Sequence, residues 1–562
     1  MTWILALSAC ALLAGSPDPP AGPADPVLEI MREELGRLSR DLGRTPVPPY
    51  FASYQLTDNR AIRIAASFGA LGDSYEMEER VLDIDLRVGD RTLDNTHPVR
   101  GEMGLDDAGG VSARRVPLEG DPVALRMALW QETERAYRQA VQRLARVKAN
   151  VQVKVAAEDR SADFSRETPE TWLEPVAPFE FDRPAWEEKL RRYTAPFAGH
   201  APIIEAGAQV IAEVETRRYV DSDGARIQTS SPFYRLLVSA TAKAEDGMQL
   251  PIHQTYMSFR PEGLPDDATV ARDVERMVRT LLALVKAPVA EPYTGPAILS
   301  GRSAAVFFHE IFGHRVEGQR QKGEEEAQTF RKKLGRPVLP AFLSVYSDPT
   351  LSRLGGSELV GSYRFDDEGV RARRVTVVKG GVLKGFLMSR APIEGFDRSN
   401  GHGRRQQGHR AAARQSNLVV ESARRVSRPE LKRLLLKRVK AAGRPYGLLF
   451  DDIEGGFTFT QRILPNAFNV RPTVVYRVYP DGREELVRGV DLIGTPLIAL
   501  SKIAATDDQP AVFNGLCGAE SGWVPVSATS PGLLVSQIEV QRKEKSQERA
   551  PLLPPPPALE AR

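Results

Sequence analysis

A chain of 562 residues with 42% hydrophobic and 27% charged side chains has an ordinary globular balance and the length for two to four domains. Lys and Arg number 76 against 73 Asp and Glu, so the formal net charge of +3 gives no electrostatic case for nucleic acid as the main partner. Beyond the first residues, no stretch stays apolar for long enough to cross a bilayer as a helix.

The chain begins with an apolar run from Trp3 to Leu13, then small residues, then a Pro-rich break. That run is too short to span a membrane and has the layout of an export signal, although a charged start is missing. "LSAC" at Leu7 to Cys10 looks like a bacterial lipoprotein box, which makes Cys10 a candidate lipid anchor. The expectation is a leader over residues 1–25 and an exported protein, periplasmic or held at the outer membrane, rather than a cytoplasmic one. The chain has two cysteines, Cys10 and Cys517. With Cys10 in the leader, Cys517 has no disulfide partner, and in an oxidising compartment such a thiol calls for burial, catalysis or a metal.

Asp25 to Gly43 places Leu28, Met31, Leu35, Leu38 and Leu42 at helical spacing and predicts an amphipathic helix. Strands are predicted at Tyr50 to Leu56, Ile62 to Phe68 and Val81 to Val88, separated by Gly and Asp turns. A long helix follows to Asn150, with Asp121 as its N-cap and Pro122 in its first turn. Glu158 to Phe181 is charged, Pro-containing and weakly periodic, and reads as an extended linker before a short helix at Pro184 to Tyr193. From Ile203 to Phe259 the alternation is that of strands, with "DSDG" (Asp221 to Gly224) as a hairpin turn. An amphipathic helix is predicted from Asp267 to Lys286. Beyond Pro288 the pattern is mostly β with Gly turns, broken by a helical segment holding "HEIFGH" and a helix at Pro429 to Ala442. Residues 543–562 read as a disordered Pro-rich tail. The fold class expected is α+β: an N-terminal domain over 26–200 with long helices, a central hairpin and helix region over 201–290, and a β-rich metal-binding domain over 291–542.

"FFHEIFGH", Phe307 to His314, starts like an H-E-x-x-H zinc helix, but its histidines are five residues apart rather than four. At roughly 100° per residue, five steps on a regular helix leave His309 and His314 about 140° apart. Sharing a cation then needs a π-bulge, or a helix that ends at Gly313 and lets the chain swing His314 back; a residue without Cβ eases either. The competing reading makes His309 a satisfied core histidine and His314 a cap on the helix end. Catalytic zinc takes three protein ligands and keeps one position open, and Cys517, between Gly515 and Gly518, can add a thiolate to the two imidazoles. Glu310, beside His309, is then the candidate general base toward a water whose pKa the metal lowers toward about 7. Glu317 could orient His314, or could be a solvated surface carboxylate.

The remaining histidines are expected to be structural or solvent-facing. His402 and His409 lie in "SNGHGRRQQGHRAAAR", which reads as an exposed loop, and His97, His200 and His253 are isolated. The clusters at Arg371 to Arg374 and Arg404 to Arg414 read as solvated loops, with Arg404 and Arg405 as candidates for holding a peptide carboxylate.

Beside the metal motif stand "RRYVDSDG" (Arg217 to Gly224), "FDDEGVRARRVTVVKGGVLKGFLMSR" (Phe365 to Arg390), "GHGRR" (Gly401 to Arg405) and "CGAESGWVPVSATSPGLLV" (Cys517 to Val535). With these blocks the sequence from about Arg217 onward resembles the TldD/PmbA family of metallopeptidases, also called the modulator-of-DNA-gyrase family. In that family the motif is itself H-E-x-x-x-H, with a distant cysteine as third ligand. The resemblance implies His309, His314 and Cys517 as ligands of one zinc ion per chain and Glu310 as catalyst. It favours the TldD-like active branch over the PmbA-like branch, which has lost the metal residues and serves as a partner subunit. It also implies an unfolded or flexible peptide substrate in the internal channel of a dimer, homodimer or heterodimer with a PmbA-like subunit, held by backbone hydrogen bonds to a strand edge. Two departures are Gln319, where family members commonly carry an acidic residue, and the leader, since the better-known members are cytoplasmic.

Two rival readings remain. One is a cysteine peptidase with Cys517 as nucleophile, which leaves Glu310 and the second histidine unexplained. The other is a catalytically inactive or non-enzymatic binding subunit of a TldD/PmbA-type complex. No G-x-S-x-G elbow, P-loop or G-x-G-x-x-G after a strand occurs, which disfavours serine hydrolases and nucleotide binding.

Overall fold

The computed structural model describes residues 25–99, 113–153, 159–322, 326–458, 460 and 468–543. Apart from Asp25 and Lys543, the expected leader with Cys10 and the expected tail lie outside the described residues. Among the described residues no helix is long and apolar enough to cross a membrane.

Asp25 caps the first helix, Pro26–Leu42, by accepting the Val27 N–H at 2.8 Å, and the helix buries Leu28, Met31, Leu35 and Leu38. The strands expected at 50–56 and 62–68 are one continuous strand, Pro49–Ser67. It turns through Phe68 (φ 48°) and Gly69 (φ 86°) into Ala70–Val88, the tight hairpin geometry in which both turn residues have positive φ. The polar stretch from Thr57 to Arg60 does not break the strand, because it is paired on both sides, to Ala70–Val88 and to Ile203–Asp221. Two ladders of backbone partners outweigh the turn preference of Asp58 and Asn59.

Ile203–Asp221, Arg226–Lys243 and Gln249–Ser258 continue the same sheet, which reaches seven strands with the short Arg114–Arg115 and Thr171–Leu173. A boundary between residues 200 and 201 therefore falls inside one sheet. The expected turn at Asp221 forms because its Oδ1 accepts the N–H of Gly224 and of Ala225, each at 2.9 Å, while Gly224 takes φ 112°.

Side chains alternate across this sheet. Tyr54, Leu56, Ile64, Val210, Leu236 and Val238 share one face and are buried under helices: Pro26–Leu42 and Pro122–Val153 toward one end, Arg183–Thr194 and Asp267–Lys286 toward the other. Each fully buried aliphatic side chain there contributes roughly 1.5–3 kcal/mol. The opposite face carries Thr57, Asn59, Glu215 and Arg217 and meets the C-terminal half, with Arg217 bonded to Asp367 and to Phe365 O, and Asp83 paired with Arg405 at 3.3 Å.

The segment expected to be a linker is a packed strap over its described part, 159–181. Thr171–Leu173 pairs parallel with Arg226–Lys243, and the Ser165 N–H donates to Arg390 O at 2.7 Å. Its charges have partners on other elements: Asp163 with His97 at 2.8 Å, Glu167 with Arg398 at 2.9 Å, and Glu170 with Arg371. Weak periodicity there reflects a chain ordered by side-chain pairs rather than by a regular ladder.

The C-terminal half encloses one helix between two β layers. Tyr293–Leu299 pairs parallel with Gly447–Thr458 and antiparallel with Leu533–Arg542. The pairing runs on from Gly447–Thr458 through Phe468–Val478 and Val490–Gly494 to Leu533–Arg542, so five strands close a ring. The second sheet runs in the order Val382–Leu383, Val375–Lys379, Leu343–Ser347, Asn417–Ser422, Gly522–Ser530, Ala511–Ala519. Between ring and sheet lies Gly301–Ile311, capped by Ser300, with Ala304, Ala305, Phe307, Phe308 and Ile311 fully buried. With only Arg302 half-buried and every other residue buried, the helix is enclosed on nearly every side. The fold class is α+β, as the periodicities predict.

Candidate metal centre

His309 and Glu310 stand on the last turn of the enclosed helix, which ends at Ile311. No π-bulge accommodates the five-residue spacing. Phe312 caps the helix with a widened φ (φ −116°, ψ −51°), and a 3₁₀ turn, Gly313–Val316, brings His314 back until the two ring centroids lie 5.0 Å apart at 71°. Gly313 contributes space rather than unusual backbone, since its φ is not positive. A Cβ there would collide with the amide of Gln415, whose Nε2 donates to His309 O at 3.3 Å.

Cys517 lies in the strand Ala511–Ala519, directly opposite Val524 in an antiparallel hairpin. His309, His314 and Cys517 are all buried, and one ring nitrogen of each histidine and the sulfur lie within 4.8 Å of one another. Cys517 Sγ is 3.4 Å from His314 Nε2. A tetrahedral cation with bonds of about 2.0–2.3 Å to nitrogen and sulfur holds such atoms about 3.5 Å apart, so the trio fits a single small ion with modest side-chain movement. His309 Nδ1 is buried without a hydrogen-bond partner. That argues against a satisfied core histidine, because an orphaned buried polar atom costs about 1–3 kcal/mol.

Electrostatics favour the ligand form of Cys517, its thiolate, and hold on His314 a proton that a bound metal would have to displace. Burial alone would push the Cys517 thiol up, but the imidazoles of His314 and His309 beside it hold it well below the ordinary thiol range. Burial alone would likewise lower His314, while Cys517 and Glu317 raise it well above the usual imidazole value. Burial pushes the Glu310 carboxyl up, against the neighbouring His309 and His314. The Glu310 side chain packs against the bare Cα of Gly456 on the ring strand Gly447–Thr458.

Glu317 is not a solvated surface carboxylate. It is fully buried, with Oε1 at 3.2 Å from His314 Nδ1 and 3.6 Å from Arg414 Nε, and Oε2 accepting from Arg320 Nε at 3.3 Å. Arg320 reaches on to Glu326 at 2.9 Å and Glu520 at 2.5 Å, and Gln319 also donates to Glu520 at 2.9 Å. Burial would raise Glu520, but Arg320 and the Gln319 amide hold it at about 2.

The stretch from Gly401 to Arg414 is not the exposed loop that its Gly and Arg content suggests. His402 is fully buried against Asn400 Oδ1 at 3.0 Å and Ser347 Oγ at 3.1 Å. Arg404 is buried too, donating to Gln415 O at 2.9 Å and Pro525 O at 2.6 Å, so its guanidinium is committed to the fold rather than to a substrate carboxylate. Arg405 faces Asp83 and donates to His409 O at 3.3 Å. Arg414 is buried completely. Arg371, Arg373 and Arg374 are exposed, as a solvated loop predicts. Sequence reasoning passed over Arg414, Arg320, Gln415 and Glu520, and no local pattern marks a buried arginine when its partners are carbonyls a hundred residues away.

Residues 292–542 match the PmbA/TldA metallopeptidase C-terminal domain. The chain is similar to the metalloprotease TldD homolog of Haemophilus influenzae, 24% identical over 349 residues, which is 60% of this chain and 68% of that protein. It is also similar to a metalloprotease of Archaeoglobus fulgidus, 29% identical over 259 residues, 46% of this chain and 56% of that one. The chain thus spans between about half and two thirds of the length of these relatives. TldE from Thermococcus kodakarensis has the same fold, with a TM-score of 0.60 at 15% identity, covering 91% of this chain and 100% of that one.

Proposed function

The chain belongs to the TldD/PmbA metallopeptidase family through its C-terminal domain, and we propose that it is a zinc-dependent peptidase of the TldD-like branch acting on unfolded or flexible peptides. The observation that carries this reading is the buried trio His309, His314 and Cys517 with the Glu310 carboxylate beside it. The trio would hold one zinc ion, and three protein ligands leave one position open, the donor count of a catalytic rather than a structural zinc. Bound there, zinc supplies Lewis acidity toward a water and a peptide carbonyl. Glu310 accepts the proton of the attacking water and passes it to the leaving amine. Glu317 holds the His314 ring by Nδ1, so that Nε2 faces Cys517.

The strand that carries Cys517 is the last in its sheet. A substrate laid along that edge by main-chain hydrogen bonds passes the metal with little demand on its side chains, which supports loose sequence specificity. The working form in this reading is a dimer, of two copies or with a PmbA-like subunit.

Metal analysis of the purified protein and incubation with an unfolded polypeptide test the proposal. About one zinc per chain, with cleavage abolished by a chelator and restored by zinc, is the expected result. Chelator-insensitive cleavage blocked by thiol alkylation would replace it with the cysteine-peptidase reading. Bound zinc without cleavage, alone or with a PmbA-like subunit, would replace it with the binding-subunit reading.

A further inference from the structure

We propose that Arg414 is the positioning residue of the metal centre: one buried guanidinium locks the hairpin that carries Cys517 to the turn that carries His314, and so sets where the sulfur stands. The proposal rests on the metal-centre reading and goes beyond it, because Arg414 is not one of the three ligands.

Cys517 sits in an edge strand of its sheet. Its strand is paired on one side only, and the hairpin turns two residues later, between Ala519 and Gly522. A metal ligand has to be held to within about 0.5 Å, and an edge hairpin does not supply that by itself.

Arg414 supplies it from both arms of the hairpin. Its Nη2 donates to Cys517 O at 2.7 Å, and its Nη1 donates to Ser521 Oγ at 2.8 Å and to Gly522 O at 3.0 Å. The remaining edge of the fork faces the other ligand segment, with Nε at 3.6 Å from Glu317 Oε1. That same oxygen lies 3.2 Å from His314 Nδ1. Arg414 and Glu317 are both fully buried. From the sulfur of Cys517 through its backbone, Arg414 and Glu317 to the ring of His314, the contacts form a circuit that the 3.4 Å approach of Sγ to Nε2 closes.

A planar guanidinium can span this circuit because its N–H groups diverge in fixed directions; an ammonium has three donors at one point and cannot reach the Cys517 carbonyl, the turn and Glu317 together. The arginine also balances the buried Glu317 carboxylate, whose other guanidinium partner, Arg320, is shared with Glu326 and Glu520.

Arg414→Lys in the full chain tests this, with Arg390→Lys as a control for a buried arginine that instead bonds Ser165 O and Asp223. Two readouts do not depend on turnover: zinc affinity in competition with a chromophoric chelator, and the sulfur-to-metal charge-transfer band of the cobalt-loaded protein. Arg414→Lys is expected to weaken zinc binding about 10- to 100-fold and to shift or weaken the band, while Arg390→Lys leaves both at the parent level. Zinc affinity within about twofold of the parent together with an unchanged band overturns the proposal. Should Arg414→Lys not fold, Ser521→Ala decides, since it removes one anchor of the fork and leaves the arginine in place. A loss of about fivefold in zinc affinity supports the role, and parental affinity overturns it. A parent protein that takes up neither zinc nor cobalt would sink the metal-centre reading itself, a result distinct from parent and variant binding alike.

Discussion

The sulfur of Cys517 lies 3.4 Å from Nε2 of His314, across 203 residues of chain. Nothing local forces that approach, so it is the most direct place to test the site. Cys517→Ser keeps the side-chain size but replaces a readily ionised thiol with a hydroxyl that zinc binds poorly. Elemental analysis should show zinc falling from about one per chain to near zero, with the fold retained by circular dichroism.

Glu310→Gln separates the base from the ligands. The amide is nearly isosteric but cannot accept a proton, so zinc content should be unchanged while cleavage of an unfolded polypeptide slows at least about 100-fold. Parental rates from a zinc-loaded variant would remove Glu310 from the mechanism.

Gly456 sets the position of that carboxylate. A Cβ at 456 would lie 3.1 Å from Glu310 Cγ and 2.9 Å from Asn469 O, and the latter is backbone in a paired strand that cannot give way. Gly456→Ala should therefore displace Glu310, with zinc retained and the rate reduced about tenfold, since small misplacements of a reacting group are costly.

Glu317→Gln tests whether the carboxylate tunes the ligand it faces. Replacing it leaves His314 Nδ1 with a weaker, uncharged acceptor, and zinc affinity measured by chelator competition should fall about 10- to 100-fold.

His402 predicts an acid sensitivity that is independent of the metal. Complete burial pushes its imidazole down to about 3, against the Asn400 carbonyl that favours the charged form. The unfolded chain takes up this proton near the usual value of about 6.5 and the folded chain does not, so this contribution to stability is complete above that value and is lost as pH falls toward 3. Between about pH 6.5 and 5 the loss is about 2 kcal/mol. His402→Gln should flatten the corresponding part of the urea-midpoint against pH curve, and an equally steep curve would show that another group carries the effect.

Helix starts were legible because capping is local: Asp25 and Asp121 bond N–H groups two and three residues away. The helix Asp267–Lys286 and the turn at Asp221 follow from equally short-range patterns. The errors share the opposite cause. Thr57 to Arg60 remains a strand because partners on both sides hold it, and 159–181 is ordered by ion pairs to Arg398, Arg371 and His97. Gly313 is required by the distant Gln415 amide, which no reading of its neighbours could supply.

By itself the sequence determined the elements and the chemical candidates, since periodicity, caps and the types of side chain in "HEIFGH" and around a lone thiol are properties of the chain read in order. The tertiary structure alone decided which candidates meet. Burying His314, Glu317, Arg414 and Cys517 together leaves their polar groups only one another and neighbouring protein groups as partners, and removal from water is what converts a surface-like run of arginines into the frame of the site.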